Sequence, residues 1–138
     1  MPPNAIIVID FALCLLLWVV QAVIYPSFRY ADAATFGDWH ARYMRRITVF
    51  VLPLMIVQLA HYSHATLLAF TVRDAVALAL VLVAWGVTFF WSVPCHRRLR
   101  EHGRSSPVID SLLRSNLVRA IAWSGVLGLS LVGMTPAA

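Results

Sequence analysis

Charge is scarce in this chain: only 12% of its 138 residues are charged against 61% hydrophobic, and lysine is absent altogether. A soluble domain carries about 25% charged and about 45–50% apolar residues. A water-soluble fold of this size has no interior large enough to hide the apolar surplus. The shortage excludes an ordinary soluble globule and makes lipid part of the solvent. Cysteine is nearly missing too. The two copies, Cys14 and Cys95, fall in or at the end of different apolar runs, which argues against a disulfide staple. The short motifs of nucleotide binding and soluble metal chemistry are also lacking, with no P-loop, GxGxxG, CxxC pair or HExxH. The opening MPPNAIIVID has no basic segment before its apolar run. That run is too long for a cleavable signal, so the first helix is expected to be retained.

What is there is four apolar runs, each long enough to cross a hydrocarbon core, which takes about 20 residues at 1.5 Å each. They cover residues 5–25, 47–70, 75–95 and 112–134. The predicted fold is an all-α, up-and-down, four-helix membrane bundle in a single domain. Before the second run, Phe36, His40, Tyr43, Ile47, Val51, Leu54, Gln58, His61 and Ala65 recur at steps of four and three. That stripe predicts an amphipathic extension over 35–46, with Trp39 and Tyr43 at headgroup level. Pro53 is expected to kink the second helix. The third helix should pass Pro94 and His96 and stop near Gly103, and Ser106-Pro107 should start the fourth.

The net charge of +5 sets eleven arginines against six acidic residues, and nine of the arginines flank the apolar runs. Membrane orientation explains them better than nucleic acid, which is not an expected partner. The first and third connections hold about eight arginines, while the second holds Arg73 beside Asp74. By the positive-inside rule both termini face outward, and the expected location is the bacterial inner (cytoplasmic) membrane.

Polar residues in lipid are costly and normally face the bundle interior. Helical spacing puts Asp10, Cys14, Gln21 and Tyr25 on one face of the first helix. Another face joins Thr88, Ser92, Cys95 and His96, and a third joins Asn116, Arg119 and Trp123. By depth these sort into two groups. Toward the cytoplasm, His40, His96, Asn116 and Arg119 form a candidate catalytic set, with Gln21 and Tyr25 lining the pocket. Arg119 would hold an anionic or carbonyl oxygen while a histidine acts as acid–base or ligand. Two histidines at similar depth also suit axial ligation of haem. The plainer alternative is a structural network, with Arg119 capping helix carbonyls, Asn116 bridging helices and His96 reaching toward solvent. Toward the outside, Asp10, His61 and His64 form a candidate metal set of two imidazoles and a carboxylate. There the plainer alternative is a hydrogen bond between His61 and Asp10. Gly125, Gly128 and Gly133 in the fourth helix read as close-packing or dimerisation positions.

Several short elements occur together: Gln21-x-x-x-Tyr25-Pro26-x-Phe28, His40-x-x-Tyr43-x-x-Arg46-Ile47, Pro53-x-Met55, Pro94-x-His96-x-x-Leu99 and Asn116-x-x-Arg119-x-x-Ala122-Trp123. In this the chain resembles a group of small four-span bacterial membrane proteins distantly similar to the anthrone oxygenase-like membrane family. The resemblance implies a four-helix membrane bundle and a shared site at His40, His96, Asn116 and Arg119. That family often has an acid near the position of Gln58, and the glutamine here speaks against carboxylate-dependent chemistry at mid-membrane. Three functional classes follow: a redox or oxygenase-like enzyme on a small lipophilic ligand, a transport or proton-linked component, and a non-catalytic partner subunit held through a homodimer or membrane complex. Metal and haem both stay open as cofactors.

Overall fold

The computed structural model describes residues 3–133. The predicted end of the fourth span at Met134 lies outside the described residues. Four helices are long and apolar enough to cross a membrane: α1 (Ala5–Ser27), α2 (Phe36–Leu68), α3 (Val72–His102) and α4 (Ser106–Val132). Among the described residues there is no strand. α4 packs against α1 and α3, and α2 packs against the same two, so the chain closes an up-and-down four-helix bundle.

The ends of the helices follow local chemistry. At the α2–α3 link, the Thr71 hydroxyl accepts the Asp74 N–H at 3.0 Å and caps α3. α3 therefore starts at Val72 and α2 closes at Leu68, two residues short of the predicted limit. Gly103, at φ 77°, ends α3 in a conformation that glycine tolerates. α4 begins at Ser106 with Pro107 in its first turn, where the missing N–H costs nothing. α2 starts at Phe36, close to the predicted boundary, and runs unbroken through Pro53.

The expectation for α1 changes in one respect. The helix does not close ahead of Pro26 but carries it, through a π turn at Val20–Ile24. α3 repeats the device, with a π turn at Thr88–Ser92 just ahead of Val93 and Pro94. A proline ring clashes with the carbonyl four residues back in an α-helix. Widening the preceding turn to i→i+5 bonds relieves that conflict: Tyr25 N–H bonds the Val20 carbonyl, and Val93 N–H the Thr88 carbonyl.

The core is stacked in three layers. Val20, Phe28, Phe36, Leu99, Ile109 and Leu112 fill the arginine-rich end. Leu13, Leu17, Met55, Ala84, Ala120 and Trp123 fill the middle. Ile6, Tyr62, Ala77, Val81 and Val126 fill the opposite end. At Gly125 the Leu80 side chain of α3 takes the space beside α4, since a Cβ there would lie 2.9 Å from Leu80 Cδ1.

Candidate functional site

The structure brings the predicted cytoplasmic-side residues together in two adjoining networks. In the first, the Tyr25 hydroxyl lies 2.9 Å from His96 Nε2, and His96 Nδ1 lies 3.0 Å from His40 Nε2. All three side chains are buried. A neutral imidazole has one N–H and one bare nitrogen, so the two rings set each other's tautomer. When Tyr25 donates to His96, His96 donates to His40 and His40 Nδ1 carries the remaining proton. When the chain runs the other way, His40 Nδ1 is bare. That atom has no hydrogen-bond partner. Around His40 the rings of Phe28 and Phe36 lie 5.5 Å away, the latter stacked at 17°.

In the second network, Asn116 Nδ2 donates to the Leu17 carbonyl at 3.0 Å and to Gln21 Oε1 at 2.9 Å. Its Oδ1 accepts from Arg119 at 2.8 Å, and a second Arg119 nitrogen donates to Thr88 Oγ1 at 3.2 Å. Arg119 is 7% exposed. Its Nε–H has no partner. Among the described residues the ion pairs are Arg29–Asp110, Arg73–Asp74 and Arg100–Glu101, so no carboxylate neutralises Arg119. Asn116 thus bridges α4 to α1, as the structural alternative requires. Arg119 is held by side chains rather than by helix carbonyls, and His96 does not reach toward solvent but turns inward.

A cavity of about 230 Å³ adjoins both networks. Leu16, Val51, Met55 and Trp85 give it apolar walls, and Tyr25, His96, Thr88 and Arg119 supply its polar face. Thr48 and Leu52 on α2 and Phe89 and Val93 on α3 form its rim and are exposed on the bundle surface. The opening therefore faces sideways, between α2 and α3.

The outer set is arranged differently from its prediction. Asp10 is fully buried and accepts from Gln58 Nε2 and from the Tyr62 hydroxyl, each at 2.7 Å, and from the Ser130 hydroxyl. Gln58 in turn accepts the Trp123 indole N–H at 2.7 Å. His61 is half-buried on the wall of a second cavity, and His64 is exposed. Neither bonds Asp10, and among the described residues no three His, Cys, Asp or Glu side chains gather to hold a metal ion. At the other end, the direct hydrogen bond between His40 and His96 leaves no gap for a porphyrin iron between their rings.

Sequence reasoning missed Tyr62, Ser130 and Trp123 as partners of the Asp10 cluster. The signal was available for two of them: Tyr62 lies four residues after Gln58 and so shares its face, and Trp123 shares the inward face of the fourth helix with Asn116 and Arg119. Thr88 was on the predicted face of α3 but was not paired with Arg119. No family model matches the chain, and no curated protein or solved structure matches it either.

Proposed function

We propose that the chain is a small membrane enzyme that takes a lipophilic substrate from the bilayer into the cavity beside Arg119 and moves a proton on it. One observation carries this reading. A nearly buried guanidinium without a carboxylate partner shares a cavity wall with Tyr25 and His96, which lead on to His40. The apolar walls suit a lipophilic body. Arg119 is positioned to hold a negatively charged oxygen of the substrate, while Tyr25 or His96 accepts the proton.

The protons balance along the chain. A proton arriving at the Tyr25 oxygen sends the phenolic proton to His96 Nε2, and the His96 Nδ1 proton passes to His40 Nε2. His40 then carries the charge against the stacked ring of Phe36, whose π face attracts a cation. The resemblance to anthrone oxygenase-like proteins supports a version in which dioxygen is the co-reactant of the deprotonated substrate. The arginine-rich connections support a cytoplasmic position for this site in a bacterial inner membrane. Transport would need a continuous polar path. The layer of Leu13, Leu17, Met55, Ala84 and Ala120 between the two polar clusters favours a closed pocket instead.

The test is the lipid-extract profile of a deletion strain complemented with the wild-type chain, His96→Gln or Arg119→Gln. The expected result is a lipophilic compound that accumulates in the deletion and in both variants at normal protein level. Full restoration of the wild-type profile by both variants would overturn the reading.

A further inference from the structure

We propose that the cavity takes a lipophilic monocarboxylate, its carboxylate against Arg119 and its body leaving between α2 and α3. The proposal rests on the cavity being a site for lipophiles and names the chemical class of its occupant.

The first argument is charge. Arg119 is the one charged side chain among the residues lining the cavity. Its hydrogen-bond partners Thr88 and Asn116 are neutral, as is the Tyr25 hydroxyl that also interacts with it, so none compensates the cation. A guanidinium held away from water without a counter-ion is costly, and an alcohol or a ketone would fill the space without cancelling the charge. A single negative charge cancels it. A dianion would import a second uncompensated charge.

The second argument is the kind of hydrogen bond left unmade. Two lining residues keep a buried polar atom without a partner: Arg119 at Nε and Trp85 at Nε1. Both atoms are N–H donors, and the indole can do nothing else. Both atoms are closed off from the cavity space, but the guanidinium that borders the cavity is donor-only, so an occupant that meets it must supply acceptors. An ionised carboxylate is acceptor-only, and its two oxygens match the planar edge of a guanidinium. Asn116 is itself fixed by Leu17 and Gln21, so the guanidinium edge is held in place before any ligand arrives.

The third argument is size and access. A cavity of about 230 Å³ is smaller than the roughly 300–1,000 Å³ that encloses a drug-sized ligand. It accepts a head and the first part of a chain. The exposed rim residues Leu52 and Phe89 then guide the remainder between α2 and α3 into the surrounding lipid.

The test compares cis-parinaric acid with parinaryl alcohol, which share a fluorescent chain and differ only at the head. Both are titrated into the purified full chain in an uncharged detergent, at an alkaline pH where the free acid is ionised. The acid is expected to bind about tenfold tighter than the alcohol, the preference that a charge-assisted hydrogen bond confers. In Arg119→Gln that ratio should fall close to one, and in Val51→Trp, which fills the cavity, both probes should be lost. Arg119→Lys keeps the charge but not the fork, and an intermediate ratio is expected from it. Equal binding of acid and alcohol to the wild-type chain overturns the carboxylate assignment and leaves the lipophile site standing. Displacement of the acid by phosphatidylglycerol as readily as by oleate also overturns it, and assigns Arg119 to a lipid headgroup phosphate. Binding that Val51→Trp leaves intact overturns the proposal together with the reading on which it rests.

Discussion

At the scale of single residues, orientation is decided by groups that can only donate. The Trp123 indole N–H fixes which end of the Gln58 amide faces it, and so turns the Gln58 amide nitrogen toward Asp10. The Asp10 carboxylate then meets donors from α2 and α4 at once. In a low-dielectric interior such a network is strong when complete and costly when broken. Asp10→Ala would leave the buried Gln58 amide without its acceptor and Tyr62 with only the Ser130 hydroxyl, 2.7 Å away, and is expected to cost about 2 kcal/mol or more. Tyr62→Phe should cost about 1 kcal/mol, because Gln58 and Ser130 still serve the carboxylate. Unfolding of the purified chain in mixed micelles measures both, and equal losses would contradict the network. The sequence showed that Asp10 faces inward, but not which donor it meets. Spacing along a helix assigns a face, whereas a hydrogen bond depends on how far the neighbouring helix is shifted along its axis.

At the scale of elements, two features set the site. The paired π turns at Val20–Ile24 and Thr88–Ser92 let α1 and α3 carry a proline and continue. Proline positions were legible in the sequence. The π turns were not, since they arise from a contest between proline sterics and packing on α4. The start of α2 is fixed in a simpler way. Asp32 accepts the Thr35 hydroxyl at 2.8 Å and the Thr35 N–H at 3.1 Å. Those bonds, the hydroxyl first, hold its carboxyl below the usual carboxylate range. A depressed folded-state value stabilises the fold above the ordinary carboxylate range, and that contribution is lost as pH falls through the depressed value. Thr35→Ala should move the Asp32 titration back up toward the ordinary value. Carboxyl ¹³C NMR across acidic pH reads this directly, and an unmoved titration would rule out Thr35 as the cause.

At the scale of the whole molecule, the bundle separates two polar clusters by an apolar layer and gathers most of its arginines at one end. The cluster holding Arg119 lies toward that end, and the one holding Asp10 lies toward the other. If the arginine-rich connections are cytoplasmic, a C-terminal alkaline phosphatase fusion should be active and a C-terminal fusion to green fluorescent protein dark. The reverse pattern would invert the membrane orientation and put the cavity at the outer side. The same experiment with fusions in the α2–α3 link should match the C-terminal result, because that link and the C-terminus share a side in an up-and-down bundle.

Composition and periodicity alone determined the membrane class, the four helices and the inward faces that carry His40, His96, Asn116 and Arg119. These follow from local rules: apolar length against bilayer thickness, and a helical repeat that keeps polar groups out of lipid. Only the tertiary structure decided who pairs with whom. It joined His40 to His96 and Tyr25, gave Asp10 to Gln58, Tyr62 and Ser130 instead of His61, and left Arg119 without a counter-ion beside a cavity. Those pairings depend on the relative shift and rotation of packed helices. That is a property of how four surfaces fit together, and no single stretch of sequence contains it.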